Sequence, residues 1–510
     1  MAYDWNGQDS LGAFRPRGRF SCWAALLVFL IAGFNILTAA ELKVTGGLTH
    51  NQVIQRDTRG LGEAELRGEA EGLSGRVVEF CVVRNHLALD GRDWHPLATV
   101  KDGQWRGQIS GIPTGGPYEI DLRVVGSEAA TSLYDVLVGD LWVLAGQSNM
   151  EGYADLVDVE PPQALVHSFD MTNQWVVAQE PLHTLVSAAD RVHWLPNESK
   201  QPVRLEGDAL RKYIAERKKG AALGLPFAAE LVRRTGVPIG LIPRAHGGTT
   251  LDQWDPAQKD RGGDSLYGSM LLGVRGAGGK VAGILWYQGE SDAIAKQGQQ
   301  YQQKFERFVA AVRADLGAPS LPFYYVQLGR VMGATDLPDW NLVQEAQRKA
   351  EQNLRRVGMV TAIDLDLDDP IHIGTQSQKE LGKRLAKLAC HDLFPNVAYC
   401  SRLKRGPRPV SAIFQDGIVR VSFSEVNERL VPRERISGFS IHSAEGKVLP
   451  VIYRAKTDPD DLAAVLLYVW GKLPAGATLR YGWGLDPYCN LKDKEGMAVP
   501  VFGPLNIQVE

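Results

Sequence analysis

The 510-residue chain has no long block of charge of one sign. Its 56 lysines and arginines are interspersed among 59 aspartates and glutamates, which gives a net charge of −3. A nucleic-acid-binding protein should show a basic patch or stripe, so we expect no nucleic-acid partner. Apolar residues make up 44% and charged residues 23% of the chain, as in globular proteins, and the length predicts two to four domains.

Metal-binding motifs are missing too. The chain contains no Cys-x-x-Cys, no His-Glu-x-x-His and no EF-hand pattern. These motifs supply the closely spaced ligands that zinc and calcium sites need. We therefore expect neither a metal nor a cofactor.

Apolar runs that approach membrane-spanning length are absent except near the N-terminus. Three arginines precede the apolar run 22–34, and small residues at 38–40 follow it. This pattern predicts a signal peptide over residues 1–40 that is cleaved before Glu41. The alternative is an uncleaved anchor formed by residues 22–40. We therefore expect an exported protein, periplasmic or extracellular, with no stable membrane contact unless this segment is retained.

Cysteine is scarce, with five residues in the chain. Removal of the signal peptide would leave Cys81, Cys390, Cys400 and Cys489. An even number in an exported protein permits disulfides, and Cys390 and Cys400 are the closest pair in sequence. The spacing alone does not determine how the cysteines are connected.

Three regions differ in their pattern of secondary structure. Residues 41–135 show short alternating strands separated by turns, one of them at 111–117, and predict an N-terminal β-sandwich-like domain. Residues 136–405 alternate strands with helices, which predicts an α/β domain whose mostly parallel sheet is covered on both faces. After a linker at 402–409, residues 406–510 return to short strands and predict a C-terminal β domain.

The middle region is expected to hold the active site, because sites in such sheets lie beyond the carboxyl ends of the strands. Its predicted strands are 136–144, 239–243, 281–286, 323–327 and 359–363. Its predicted helices are 226–234, 299–316, 340–352 and 375–388. The segment 156–220 has no clear period, which predicts either a long insertion over the site or a mobile surface excursion.

Ser148 is the candidate nucleophile. The apolar run 136–144 ends just before Gly146, and the serine follows in a polar turn. A hydroxyl presented at the end of a buried strand is typical of α/β hydrolases. An ordinary strand-ending turn would also contain Gly, Ser and Asn.

Polar clusters follow three further predicted strands. His372 is the candidate base, and Asp369, three residues earlier, is the candidate that orients it. The candidate oxyanion donors are the N–H of Ser148, the N–H of Gly247 or Gly248, and the side-chain amide of Gln288. Taken singly, each piece is also compatible with a turn, a solvated acidic loop or a structural histidine. Because the clusters follow successive strands in complementary roles, together they predict a serine hydrolase.

Four sequence blocks make the prediction more specific. They are Gly146-Gln-Ser-Asn-Met150, Gly247-Gly-Thr249, Trp286-Tyr-Gln-Gly-Glu290 and Asp369-Pro-Ile-His372. In this order they resemble the SGNH-type carbohydrate esterases, within them the sialate O-acetylesterase family, and they are also similar to acetylxylan esterases. Further resemblance at 53–57, 115–118 and 481–484 extends to the flanking β regions.

The resemblance implies a three-layer α/β SGNH domain without a metal, and removal of O-acetyl groups from sugars through an acetyl-enzyme. Ser148 would be the nucleophile, His372 the base, and Gly247 and Gln288 oxyanion donors. Some similar esterases use the glutamate of the Gln-Gly-Glu block to orient the base, so Glu290 stands beside Asp369 as a candidate.

The sequence departs from the family pattern at one position, and it leaves several alternatives for the substrate and function. His246 occupies a position where relatives often have an aromatic residue, and it either alters sugar contacts or fills the same space. The expected partner is an acetylated carbohydrate, and Arg191, Arg204 and Arg244 are candidate contacts for an anionic sialic acid. The alternatives are a deacetylase of xylan or another glycan, and a non-catalytic carbohydrate-binding protein on the same fold.

Overall fold

The computed structural model describes residues 41–89, 94–197 and 199–509, and its longest strand is Ala130–Gly146. From residue 136 onward every residue of this strand is buried, as expected where both faces of a sheet are covered. Its first part pairs antiparallel with Gly115–Val124, and its last part pairs parallel with Ile239–Pro243 and Gly283–Tyr287. The strand thus runs through the predicted boundary at 135/136, and the domain limits stay a prediction.

A mostly parallel sheet forms around this strand. Its order is Trp175–Val177, Val166–Phe169, Ile239–Pro243, Ala130–Gly146, Gly283–Tyr287, Phe323–Gln327 and Val357–Thr361. Only the pairing of Trp175–Val177 with its neighbour is antiparallel along this path. All five predicted strands are present, and the last lies two residues earlier than predicted. The predicted α/β class is confirmed. Along this path the sheet is mostly parallel, and through Ala130–Gly146 it continues into antiparallel strands of the N-terminal region, so the whole sheet is mixed.

Two strands of this sheet were not predicted, and both lie within the segment 156–220. Val166–Phe169 and Trp175–Val177 have four and three residues, too few for an alternating pattern to emerge. The remaining elements of this segment are also short. They are the strands Leu195–Pro196, Pro202–Val203 and Lys219–Ala221, the 3₁₀ turns Leu185–Ser187 and Arg191–His193, and the helix Gly207–Glu216.

Helices connect the strands of the sheet. The four predicted helices are observed as Gly224–Thr235, Gly298–Asp315, Trp340–Asn353 and Thr375–Leu393. The helix Leu266–Gly276 was not predicted. Shorter elements are the helices Ser148–Glu151 and Glu290–Ile294, the strand Ala154–Asp155, and the 3₁₀ segments Leu251–Trp254, Pro256–Asp264 and Cys400–Arg402. A disulfide joins Cys390 and Cys400.

The N-terminal region is built from antiparallel strands with their own apolar cluster, which includes Trp105 and Tyr118. The strands are Lys43–Gly46, Val53–Gln55, Leu61–Glu69, Val77–Arg84, Leu87–Ala88, His95–Thr99, Gln104–Pro113 and Gly115–Val124. Val53–Gln55 is the exception, because it pairs parallel with Ala130–Gly146. The turn predicted at 111–117 is wrong in extent, since two ten-residue strands meet there with Thr114 alone between them.

The C-terminal region contains a third apolar cluster, which includes Tyr481 and Phe502. Its strands are Arg408–Gln415, Ile418–Ser424, Leu430–Val431, Phe439–His442, Val448–Leu449, Ile452–Thr457, Ala464–Val469, Thr478–Tyr481, Lys492–Asp493 and Phe502–Val509. Eight of them form one sheet. The first begins within the predicted linker 402–409, and the β-sandwich form of both flanking regions stays a prediction.

The predicted signal peptide at 1–40 lies outside the described residues. Within the described part of the chain, no helix has both the length and the apolar character needed to cross a membrane.

Candidate active site

The predicted site residues lie in loops that follow neighbouring strands of the parallel sheet. Ser148 follows the strand Ala130–Gly146, while the glycine loop at 246–248 and Gln288 follow the strands on either side of it. Because parallel strands end at the same edge of a sheet, these loops converge there. The loop with His372 follows Val357–Thr361, the last strand in the order of the sheet.

Ser148 stands at a turn that only glycine permits. Gly146 has a φ of 132°, and a methyl group on it would lie 2.2 Å from the main-chain oxygen of Tyr287. That oxygen accepts a 2.8 Å hydrogen bond from the Gln147 N–H. Ser148 then begins the helix Ser148–Glu151, so its own N–H has no acceptor within the helix and is available to a ligand.

Ser148, His372 and Asp369 form a continuous hydrogen-bonded row. The Oγ of Ser148 is 2.8 Å from Nε2 of His372, and Nδ1 of His372 is 2.7 Å from Oδ2 of Asp369. Burial raises the pKa of Asp369, but hydrogen bonds from the Ile371 N–H, the His372 ring and the His372 N–H outweigh it and leave the pKa below its usual value. Asp369 is therefore placed to hold His372 in the tautomer that leaves Nε2 free to accept a proton.

Glu290, the other candidate for orienting the base, lies deeper. Its Oε1 accepts a 2.8 Å hydrogen bond from Nδ2 of Asn149, and its Oε2 has no partner within the described chain. Burial raises the pKa of Glu290 to about 7. The ring nitrogen of His372 that Glu290 would need is bonded to Asp369.

Asn149 is a site residue that our sequence reasoning missed. Its Nδ2 also donates to the main-chain oxygen of Ile371 at 3.2 Å, and its Oδ1 accepts from the Ile373 N–H at 3.1 Å. These two groups flank His372 on both sides. Asn149 therefore ties the base to the residue next to the nucleophile. The only signal in the sequence was its place in the Gly-Gln-Ser-Asn-Met block.

The glycine loop contacts Ser148, but one predicted donor there is already engaged. A methyl group on Gly247 would lie 3.4 Å from Cβ of Ser148 and 3.0 Å from Oε2 of Glu151. The Gly247 N–H donates a 2.7 Å hydrogen bond to that same carboxyl oxygen. Burial raises the pKa of Glu151 to about 7, although the Gly247 N–H and the charge of Arg217 lower it. Glu151 was not predicted, and it directly follows the nucleophile block.

The side-chain amide of Gln288, the third predicted donor, is hydrogen-bonded within the chain. Its amide nitrogen donates to the main-chain oxygen of Thr249 at 2.9 Å and to the carboxylate of Asp292. Its side-chain oxygen accepts from the Tyr301 hydroxyl at 3.3 Å. The residue is fully buried. In this arrangement Gln288 braces the glycine loop, and its use as an oxyanion donor would require one of these bonds to open.

Tyr153 forms part of the wall beside His372 and was also missed. Its ring stacks on the imidazole with 4.5 Å between ring centroids and 20° between planes. The side chain is partly exposed. An aromatic face beside the base is a surface on which an apolar face of a ligand can pack.

Of the candidate cationic contacts, Arg244 is buried. It donates to the main-chain oxygen of Pro243 and to Asn173, and burial lowers its pKa to about 10. Arg191 lies 3.9 Å from Asp264, and Arg204 lies 3.4 Å from Glu206. Among the described residues, no group of three or more His, Cys, Asp or Glu side chains is arranged to hold a metal ion.

A serine, a histidine and an aspartate in hydrogen-bonded order at the carboxyl edge of a mostly parallel sheet are the arrangement of the α/β serine hydrolases. Residues 138–391 match the family described as "Carbohydrate esterase, sialic acid-specific acetylesterase". The resemblance to this carbohydrate esterase family that was drawn from the sequence blocks is confirmed.

Three known proteins are similar to this chain. A probable carbohydrate esterase of Arabidopsis thaliana is 29% identical over 48% of this chain and 88% of its own length. The human sialate O-acetylesterase is 25% identical over 37% of this chain, a match that spans only 38% of the human protein. The crystal structure of a carbohydrate acetylesterase from Xanthomonas citri is 25% identical, covers 90% of this chain and 99% of its own, and superposes with a TM-score of 0.60.

Proposed function

We propose that the protein is a serine carbohydrate esterase that removes O-acetyl groups from sugars through an acetyl-enzyme intermediate. The observation that supports this most directly is the row Ser148–His372–Asp369, with 2.8 Å and 2.7 Å between its partners. The match to the carbohydrate esterase family supports an ester of a carbohydrate as the substrate.

In the proposed reaction His372 takes the Ser148 proton at Nε2 as the hydroxyl oxygen attacks the acetyl carbonyl. The Ser148 N–H donates to the oxyanion that forms. His372 then gives the proton to the departing sugar oxygen. In the second half His372 takes a proton from the water that attacks the acetyl-serine, and returns it to the Ser148 oxygen as acetate is released.

The second oxyanion donor is proposed to come from the glycine loop. The Gly247 N–H is bonded to Glu151, so it would serve only if that carboxyl group moved aside. Gly248 has a φ of 70°, is exposed and follows directly, so its N–H is the alternative within the same loop. Either group would be a main-chain donor from the loop beside the nucleophile.

The substrate within this class is open between an O-acetylated sialic acid, as the name of the human relative suggests, and another acetylated glycan. Acetate release from O-acetylated sialic acid and from acetylated xylan would be measured side by side. S148A should abolish release from both while the folded structure is kept.

S168A is a matched control, because Ser168 is also buried but its hydroxyl donates to the main-chain oxygen of Leu241 on the neighbouring strand. Acetate release by S148A at the wild-type rate would overturn the serine mechanism. A folded wild-type protein that binds these glycans without releasing acetate would favour the non-catalytic carbohydrate-binding alternative.

Export is likewise proposed from the sequence of residues 1–40. N-terminal sequencing of the mature protein, with Glu41 expected as its first residue, tests both cleavage and the alternative of a retained anchor.

A further inference from the structure

A second hydrogen-bonded row lies behind the glycine loop and is not used in the proposed reaction. It consists of Asp190, Ser269, His193 and His246. The Ser269 hydroxyl is 2.6 Å from Oδ2 of Asp190, and Nε2 of His193 is 3.0 Å from the Ser269 oxygen. Nδ1 of His193 is 3.3 Å from Nδ1 of His246, and the two rings are stacked. The row thus connects a carboxylate to the residue that precedes Gly247.

The direction of each hydrogen bond in this row follows from its first member. A carboxylate can only accept, so Ser269 donates its one proton to Asp190. The Ser269 oxygen must then accept from an N–H at Nε2 of His193. Burial holds the pKa of His193 well below its usual value, and the positive charge of Arg244 lowers it further. The ring is therefore neutral, and its Nδ1 carries a lone pair.

The last bond of the row is therefore donated by His246. Its Nδ1 must bear the proton that the lone pair of His193 accepts. Burial lowers the pKa of His246 as well, which favours the neutral ring. A neutral imidazole protonated at Nδ1 presents a lone pair at Nε2. Nε2 has no hydrogen-bond partner within the described chain and is not among its fully buried polar atoms, and the residue is partly exposed.

The residue that carries this lone pair belongs to the glycine loop beside the nucleophile. The His246 N–H donates to the main-chain oxygen of Gly146 at 3.0 Å, and a methyl group on the next residue, Gly247, would lie 3.4 Å from Cβ of Ser148. A fixed acceptor selects ligands that donate, such as a hydroxyl group, and gives no attraction to a carboxylate. The carboxyl groups of Glu151 and Asp369 near Ser148 also disfavour a carboxylate on the ligand.

We propose that His246 is a substrate-binding residue whose Nε2 accepts a hydrogen bond from a hydroxyl group of a neutral acetylated sugar, and that His193, Ser269 and Asp190 are positioning residues that hold it as an acceptor. The proposal rests on the proposed esterase function and specifies the kind of sugar that the site takes. Of the two interpretations of His246 drawn from the sequence, it selects contact with the sugar.

The kinetic test compares kcat/KM for a mono-O-acetylated methyl xyloside and for analogues in which each free hydroxyl is replaced in turn by hydrogen. In the wild type, one replacement should lower kcat/KM about 3- to 10-fold, which corresponds to one neutral hydrogen bond. In H246F the parent and that analogue should be used equally. H391F is the matched control, since His391 lies on the helix Thr375–Leu393 and pairs with Asp392. It should keep the wild-type preference.

The tautomer is tested independently of turnover. Nitrogen-15 NMR of the histidine-labelled full chain should show His246 protonated at Nδ1 and unprotonated at Nε2. D190N replaces a group that only accepts by one that also donates, so it permits the whole row to reverse, and the Nε2–H form of His246 should appear. An Nε2–H tautomer in the wild type would overturn the proposal.

The outcomes separate this proposal from the proposed function. Wild-type protein that hydrolyses neither the xyloside, nor O-acetylated sialic acid, nor p-nitrophenyl acetate would overturn the esterase function and this binding role with it. Turnover of the xyloside with the same hydroxyl preference in H246F as in the wild type would overturn the role of His246 alone. Turnover of O-acetylated sialic acid but not of the xyloside would also overturn it.

Discussion

Replacing Asn149 by alanine should separate the positioning of His372 from the stability of the fold. The side chain is buried and bonds to Glu290 and to the main chain of Ile371 and Ile373. N149A leaves three buried polar groups without this partner. Each such group costs about 1–3 kcal/mol, so the free energy of unfolding should decrease by about 3 kcal/mol or more.

The effect on turnover has a different origin. Ile371 and Ile373 flank His372, so without Asn149 the loop that holds the base is free to shift relative to Ser148. A displacement of about 1 Å at a reacting group can cost about 100-fold in rate. We expect kcat to decrease by about that factor while KM changes little, because Asn149 is not predicted to contact the sugar. Urea denaturation and steady-state kinetics on the folded protein measure the two effects.

N341A provides the matched control. Asn341 is also buried and bridges two segments, accepting from the Gly484 N–H at 2.9 Å and donating to the Gly484 oxygen at 3.1 Å. It should lose comparable stability and keep a kcat close to that of the wild type. The reasoning would be refuted if N149A kept the wild-type kcat, or if N341A lost as much turnover as N149A.

Three further substitutions test individual parts of the site. Q288A should chiefly lower stability, because the amide braces the glycine loop, whereas a 100- to 1000-fold lower kcat at unchanged stability would favour the oxyanion role predicted from the sequence. The pKa of Glu151 is raised from 4.5 to about 7, so between these values the folded protein holds a proton that the unfolded chain has released, and stability should decrease as pH rises through this window. E151Q should remove about 3 kcal/mol of that decrease. If the free energy of unfolding differed between about pH 5 and about pH 8 as much in E151Q as in the wild type, Glu151 would not be the group responsible. G146A should prevent folding or destabilise the protein severely, since its methyl group would overlap the main-chain oxygen of Tyr287. G248A has a φ of 70° but open space around it, so it should lower the stability measured by thermal unfolding by about 1 kcal/mol. Equal effects of the two substitutions would contradict the packing argument.

Much of the fold followed from local patterns. The strands Ile239–Pro243 and Phe323–Gln327 were predicted with their observed bounds, because a short apolar run between turn signals marks a buried strand. The short strands Val166–Phe169 and Trp175–Val177 were missed because three or four residues contain too little pattern. The strand Ala130–Gly146 was predicted only in part, since its first half belongs to an antiparallel pairing and alternates differently from its buried second half.

The sequence by itself determined the order of the five longer strands and four of the helices in the middle region and the resemblance to the family, and it pointed to Ser148, His372 and Asp369 as candidates. These features depend on burial periodicity, on turn residues and on groups that follow each strand directly, and all of them are local in the chain. The roles of Asn149, Glu151 and Gln288 were decided only by the tertiary structure. Asn149 meets Glu290 across 141 residues, and Glu151 meets Gly247 across 96. Whether a buried polar group finds a partner over such distances depends on how the loops pack at the sheet edge, and no spacing along the chain encodes it.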